Sequence, residues 1–325
     1  MTLAETLVEV IGLTKSFGSI KAVDNISLSV NRGEVLGFLG PNGAGKSTSM
    51  KMITGFLTPT SGTIKISGND ISVNPIEAKA SIGYLPEGAP AYGEMTPLNF
   101  LSFVAEVRGI DNSARASRVD EIIDKIHLER VAHQPIDTLS KGFKRRVGIA
   151  QAILHDPEIL ILDEPTDGLD PNQKHEIRAL IKEMAADKAI LISTHILEEV
   201  ESVCTKAIII SNGGVIFSGS PLELSSKSRY HNAITLVVSN KDVEKTTKIL
   251  KELEEIMAIE HIAEAELTRV TLIPYSSEVE ISSLVKARMA DYECEILQLY
   301  IEQGRLDEVF RSLTNQQKSG EVIRS

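Results

Sequence analysis

The sequence predicts an α/β fold with a parallel sheet at its centre, followed by a smaller α+β unit. Three observations carry that expectation. A glycine-rich loop, Gly40-Pro41-Asn42-Gly43-Ala44-Gly45-Lys46-Ser47-Thr48, stands between an apolar run and a helical stretch. Two later apolar runs, Ile159 to Leu162 and Ala189 to Ile192, are continuous rather than alternating, as in strands covered on both faces. Beyond the polar break Ser225-Ser226-Lys227-Ser228 the pattern changes to short strands and amphipathic helices in the order β-α-β-β-α-β. That is the split pattern of a ferredoxin-like sandwich.

Composition bounds what such a chain can do. Of 325 residues, 42% are hydrophobic and 24% charged, which suits about two domains with buried cores. A formal charge of −11 argues against general affinity for DNA, RNA or an anionic membrane face. Cys204 and Cys294 lie in apolar surroundings without a metal or redox spacing. They read as small core residues in a reducing compartment. No apolar run approaches the ~18–20 residues that span a bilayer, and Met1 to Glu5 lacks the basic region of a signal peptide. Such a chain cannot itself be a transport pathway.

The first segments, Leu7 to Val10, Ile26 to Val30 and Val35 to Leu39, read as an antiparallel section, with Asn31-Arg32-Gly33 as a hairpin signal between the last two. Phe17 alone would be an ordinary core aromatic. With a phosphate loop downstream, it becomes a ring for adenine to stack on. The loop from Gly40 to Thr48 matches G-x-x-x-x-G-K-[ST] completely. A strand before it and a helix from Ser47 to Thr54 after it aim backbone N–H groups and a helix dipole at one point, where a polyphosphate fits. Gly43 and Gly45 allow close approach, Lys46 reaches the β and γ oxygens, and Ser47 holds Mg²⁺.

Further strands are expected at Ile64 to Ile66 and Ile82 to Leu85. Pro86-Glu87-Gly88-Ala89-Pro90 breaks the pattern, and Thr96-Pro97 opens a helical stretch that runs to about Leu139. Ser140 is placed to cap a helix over Lys144 to Leu154. In isolation it is no more than a cap; with Gly142 beside it, it makes a second outward-facing helix N-terminus. The strand Ile159 to Leu162 ends on Asp163 and Glu164, at the carboxyl end where active groups of parallel sheets project. Two adjacent acids there are costly without a cation. With Mg²⁺, Asp163 holds the metal or its water and Glu164 polarises the attacking water. The strand Ala189 to Thr194 ends on His195, placed for a γ-phosphate contact. Downstream, strands are expected at Ala233 to Val238, Met257 to Ala263, Val270 to Ile273 and Cys294 to Leu299. Helices are expected at Val243 to Ile256 and Ile281 to Ala290, with a terminal one at Arg305 to Phe310.

These pieces, in this order, resemble the ATPase subunit of an ABC transporter over about residues 5 to 222. The resemblance is carried by the phosphate loop, Leu139 to Phe143 as signature, Ile159 to Glu164, Gly168-Leu169-Asp170, and Ser193-Thr194-His195. It implies a phosphate-loop hydrolase of ABC type over 1–224, with an antiparallel β subdomain and a helical insertion at about 87–155. A ferredoxin-like accessory domain over 225–325 would follow. By position, Phe17 and Val23 would contact adenine. Ser140 and Gly142 would reach the γ-phosphate held by the opposite subunit, and Asp170 would link the two sites. Glu87 stands where many relatives carry a glutamine that reaches the metal. Lys141 and Phe143 depart from the common Leu-Ser-Gly-Gly-Gln. Both departures resemble bacterial export systems of the gliding-motility, drug-export and copper-enzyme-maturation types.

The resemblance thus implies a homodimer that binds ATP and Mg²⁺ on the cytoplasmic face of a membrane. It would drive a separately encoded permease, with no nucleic acid as partner. The alternative is a soluble ABC-type ATPase in translation or DNA repair. Those factors carry two phosphate loops, a long coiled coil or zinc modules, none of which this sequence shows. A GTPase would need an Asn-Lys-x-Asp motif, which is also missing.

Overall fold

The computed structural model describes residues 5–88, 91–276, 281–292 and 294–321. The readings that fell on Met1 to Ala4 and on Ala89-Pro90 lie outside them. The chain divides into two compact units between Ser220 and Pro221.

In the first unit, β1 (Thr6–Phe17) and β2 (Ile20–Asn31) form a hairpin in which Phe17 faces Ile20 across the turn. Bulges let the pairing continue past the apolar segments read from sequence, so both strands are longer than expected. The next strand, β3 (Val35–Leu39), does not continue the hairpin. At Asn31-Arg32-Gly33 the chain turns, with the Glu34 N–H on the Asn31 carbonyl at 3.0 Å, and passes into a different sheet. The expected hairpin there is therefore corrected. All five residues of β3 are buried, and a strand buried on both faces needs partners on both sides.

After the phosphate loop come α1 (Lys46–Ile53), β4 (Ser61–Ile66), β5 (Asn69–Asp70), α2 (Pro75–Ala80) and β6 (Ile82–Leu85). The helical insertion continues the chain as α3 (Pro97–Val107), α4 (Asn112–Lys125) and α5 (Lys141–Ile153). Thr96 caps α3 by accepting from the Asn99 N–H at 3.2 Å. Helix α5 begins three residues ahead of the expected Lys144 because Ser140 caps it there. The unit ends with β7 (Ile159–Asp163), α6 (Pro171–Met184), β8 (Ala189–Thr194), α7 (Leu197–Val203), β9 (Lys206–Ser211) and β10 (Gly214–Gly219).

Two sheets result. An antiparallel one has the order β2-β1-β4-β5; the other has the order β10-β9-β3-β8-β7-β6, parallel from β9 to β6 with β10 antiparallel at its edge. Side chains of both, among them Leu13, Ile26, Phe38, Ile161 and Leu191, share one core. Consequently β3, β8, β7 and β6 lie side by side and end at one edge.

The second unit opens with α8 (Pro221–Ser225), four residues before the break at Ser225 expected from composition. The Ser225 carbonyl packs against Gly304, so this helix belongs to the second unit. Then come β11 (Ile234–Ser239), α9 (Val243–Leu250), β12 (Ile256–Glu264), β13 (Leu267–Pro274), α10 (Ser282–Asp291), β14 (Gln298–Ile301) and α11 (Leu306–Glu321). The sheet order β12-β13-β11-β14, antiparallel throughout, sets the two flanking strands of each β-α-β half around a shared centre. Helix α9 stops at Leu250 rather than Ile256. The apolar spacing continues through Leu253 and Ile256 because the turn keeps both on the core side. The last strand likewise falls at Gln298–Ile301, where Leu299 pairs with Leu236, and Cys294 packs on the core just ahead of it. Cys204 is buried, and that burial pushes its thiol up to about 12.

Ile161 is fully buried in the middle of β7. Ile161→Ala is expected to destabilise the first unit by about 2–5 kcal/mol. Ile20→Ala, at a position 70% exposed, should stay within about 0.5 kcal/mol. Urea denaturation of the two variants checks the contrast.

Candidate nucleotide site

The edge where β3, β8, β7 and β6 end gathers the loop after β3, His195 after β8, Asp163 and Glu164 at β7, and Glu87 after β6. Open α/β sheets bind ligands at this edge because only there does the chain leave a dry interior and expose polar groups.

The loop wraps over the start of α1. The N-cap of this helix is Gly45, and no side chain caps its first turn. Its leading N–H groups are left for an anion, together with the positive end of the helix dipole. Gly45 sits at φ 104°, and a Cβ there would meet the Ala22 carbonyl at 2.5 Å. Only glycine fits. Asn42, Gly43, Gly45, Lys46, Ser47 and Thr48 line a cavity of about 320 Å³ whose far wall is Glu87 and Glu164. Ala44 is buried and donates its N–H to the Pro41 carbonyl at 3.1 Å. Lys46 is buried, and its ammonium donates to the Gly40 carbonyl at 2.8 Å and the Pro41 carbonyl at 3.4 Å. Burial pulls Lys46 below the ordinary lysine value, while the carboxylates of Glu164, Asp163 and Glu87 pull it back up.

Asp163 is 1% exposed. One carboxylate oxygen accepts from the Ser193 hydroxyl, and the other, Oδ2, is buried without a hydrogen-bond partner. A buried anionic oxygen lacking a donor is suited to a cation. With the Ser47 hydroxyl on the cavity wall, the donors are hard oxygens that match Mg²⁺, which takes one or two protein ligands and completes its shell with phosphate and water. Among the described residues no group of three or more His, Cys, Asp or Glu forms a metal cage.

Glu164 adopts φ 52°, in the left-handed region, where the chain turns out of the sheet. Its N–H donates to the Ser193 carbonyl at 3.0 Å. Its carboxylate lies 2.7 Å from His195 Nδ1, with Glu164 largely buried and His195 half exposed. Sequence reasoning assigned the two residues separately; the structure makes them a pair. Burial holds the Glu164 carboxyl above the usual carboxylate range, the charge and hydrogen bond of His195 together with Lys46 lower it, and Asp163 raises it.

Other expected residues fall elsewhere. Phe17 is half exposed at the end of β1 and is not part of the cavity wall; Lys15 Nζ lies 5.2 Å from its ring centroid. Val23 is 0% exposed within the core. Its side chain lies against Gly45 of the loop, where a Cβ would come within 3.3 Å of Val23 Cγ2. Ser140 is exposed and caps α5, accepting from the Phe143 N–H at 3.4 Å. Gly142 is buried because the Gln173 side chain covers it; a Cβ would lie 2.5 Å from Gln173 Oε1. Asp170, exposed, caps α6 by accepting from the Gln173 N–H at 3.0 Å.

Two residues escaped the sequence reading. Gln173 touches both Gly142 and Asp170, and the D-x-x-Q spacing of a capping box could have drawn attention to it. Arg145, in the run Lys144-Arg145-Arg146, is only 6% exposed and donates to backbone carbonyls at the ends of β6 and β7. Its place in the stripe Gly142, Arg145, Ile149, Ala152 marks it as inward-facing.

The loop geometry yields a test. Gly45→Ala should force the loop off the Ala22 carbonyl and lower ATP affinity at least about tenfold, with the melting temperature little changed. Titration with a fluorescent ATP analogue measures it.

Comparison with known proteins places this geometry. Residues 23–167 match the ABC transporter family profile. The chain is 39% identical over 229 residues to the uncharacterized ABC transporter ATP-binding protein YxlF of Bacillus subtilis, covering 70% of this chain and 76% of that one. It is 31% identical over 303 residues to the linearmycin resistance ATP-binding protein LnrL of the same organism, covering 93% and 96%. An ATP-binding cassette solved as a dimer in a post-hydrolysis state with ADP and Pi superposes with a TM-score of 0.61 at 25% identity, over 66% of this chain and 99% of that one. The chain belongs to the ABC transporter family, as an ATP-binding subunit whose hydrolysis of ATP drives transport.

Proposed function

We propose that this subunit works as a homodimer around two MgATP and powers export through a separately encoded permease, from the cytoplasmic face of the membrane. The observation that carries the chemical part is the Glu164–His195 contact of 2.7 Å at the wall of the cavity headed by Lys46 and Ser47. Backbone N–H groups of the loop and the Lys46 ammonium hold the β- and γ-phosphates. Ser47 and Asp163 would hold Mg²⁺, which when bound neutralises charge on those oxygens. Glu87 faces the same cavity and would add a further metal contact. Glu164, ionised, accepts hydrogen bonding from the attacking water and polarises it. His195 fixes the carboxylate through Nδ1 and turns Nε2 toward the γ-phosphate. Phe17, exposed on its hairpin, provides the adenine platform.

Each chain has one phosphate loop and one signature, and Ser140 and Asp170 lie exposed. A second copy would bring its own Ser140 and Gly142 to the γ-phosphate, with Gln173 moving off Gly142 to admit it. ATP then stabilises the closed pair, and loss of the γ-phosphate releases it. Membrane coupling needs a second surface. Tyr92, Phe100, Phe103, Val104, Val107 and Arg108 line an open, mainly apolar groove of about 540 Å³, suited to a short helix of the permease. No helix among the described residues is long and apolar enough to cross a membrane, consistent with a pathway in another polypeptide. The export direction rests on the signature departures. The second unit serves dimer support or regulation, or is a passive accessory domain.

Two measurements test the chemistry. Glu164→Gln should retain ATP binding and lose about 10²–10⁴-fold in turnover; parental phosphate release in that variant sinks the assignment. Below its pKa the Glu164 carboxyl is protonated and cannot polarise water. Since burial raises that pKa, kcat/KM should fall on acidification at a pH above the ordinary carboxylate range. His195 lowers the Glu164 value, so His195→Ala should move the acid limb of the residual rate to higher pH.

A further inference from the structure

One buried cation beside the nucleotide site takes no part in holding the phosphates. Arg145 is 6% exposed. Its guanidinium donates from Nη2 to the Asp163 carbonyl at 2.9 Å and to the Glu164 carbonyl, from Nε to the Pro165 carbonyl at 3.2 Å, and from Nη1 to the Pro86 carbonyl at 3.3 Å. These partners are main-chain groups at the ends of two neighbouring strands.

Their position explains why they need a donor. Beyond Asp163 the chain leaves β7, Glu164 turns into the left-handed region at φ 52°, and the carbonyls of 163–165 all lie within hydrogen-bonding reach of the guanidinium. A buried carbonyl without a partner is costly. The Asp167 N–H serves Glu164 at 3.1 Å; the planar guanidinium serves all three carbonyls at once. The same fork holds Pro86, the residue before Glu87. A lysine has three donors on one atom and cannot span that set. Burial lowers Arg145 from the ordinary arginine value, against the pull of Asp167, Asp163, Glu164 and Glu87. This charge therefore sits where it is expensive, among the carboxylates of the site.

The side chain originates on α5, five residues after Ser140. One rigid helix thus carries the signature at its start and the clamp on the hydrolytic loop in its second turn. We propose that Arg145 is a positioning residue for ATP hydrolysis: through the carbonyls of Asp163, Glu164 and Pro165 it aims the Glu164 carboxylate, so that the aim depends on where α5 stands. The inference rests on Glu164 as the water-polarising group.

The test uses the full chain and four variants: Arg145→Lys, Arg145→Gln, Glu164→Gln, and Arg145→Lys with Glu164→Gln. Arg145→Lys keeps the buried charge and is the variant expected to fold even if Arg145→Gln does not. It should lose about 100-fold in kcat, the scale of a roughly 1 Å misplacement, with the ATP KM within about threefold. In the Glu164→Gln background the same change should cost less than about twofold in single-turnover rate, because there is no base left to aim. A purely structural clamp would instead lower the melting temperature with kcat unchanged, or reduce the rate equally in both backgrounds; either result overturns the proposal. Parental turnover in Glu164→Gln alone sinks the assignment of the base, and with it the aiming role. Parental turnover in Arg145→Lys, with Glu164→Gln inactive, removes only the aiming role.

Discussion

Four parallel strands, β3, β8, β7 and β6, are buried on both faces and must shed their polar groups at one shared edge. That constraint organises the molecule. A dry interior tolerates no charge along the strands, so Lys46, Asp163, Glu164, His195 and Glu87 all collect where the strands stop. Several of the polar groups there are answered locally. The Ser193 hydroxyl, on the neighbouring strand, donates to Asp163, its carbonyl accepts from the Glu164 N–H, and Arg145 donates to the carbonyls beyond. Among the demands left open are those at Asp163 Oδ2 and at the uncapped first turn of α1. They have opposite sign: an oxygen wanting a cation and a helix end wanting an anion. A nucleotide phosphate with a hard divalent cation would satisfy both at once.

The electrostatics arise from the same crowding. Three carboxylates surround one buried ammonium and raise the Lys46 value against the lowering effect of its burial, while Lys46 in turn lowers Glu164. Burial works against both partners of a pair, lowering Lys46 and raising Glu164. The Glu164–His195 contact partly restores the carboxylate. A base whose proton affinity is lifted by burial is better matched to neutral pH than an exposed glutamate. Its backbone, held at positive φ, is the strained element, and strain of this kind persists only where neighbours over-determine it. Ser193 supplies one set of constraints and Arg145 the other.

Much of this was legible in the residue order. The phosphate loop, its strand and helix, the capped helix after Thr96 and the two acid-ending or histidine-ending strands stand where the apolar pattern puts them. The misreading has a plain cause. Asn31-Arg32-Gly33 has the composition of a hairpin turn, but composition cannot say whether the next strand pairs with the previous one or crosses to another sheet. Arg145, which the residue pattern did not single out, stands in a basic run, and its helical phase puts it inside.

The sequence by itself determined the chemistry available: a loop with the phosphate-cradling pattern, two acids at the end of an apolar strand, one signature per chain. These come from local backbone preference and from the cost of burying charge, both of which are properties of neighbouring residues. The tertiary structure alone decided the pairings. Glu164 with His195, Gly142 with Gln173, and Arg145 with the carbonyls of two strands join segments 18 to 59 residues apart. Such contacts depend on strand order and helix phase, which emerge only when several elements compete for the same core.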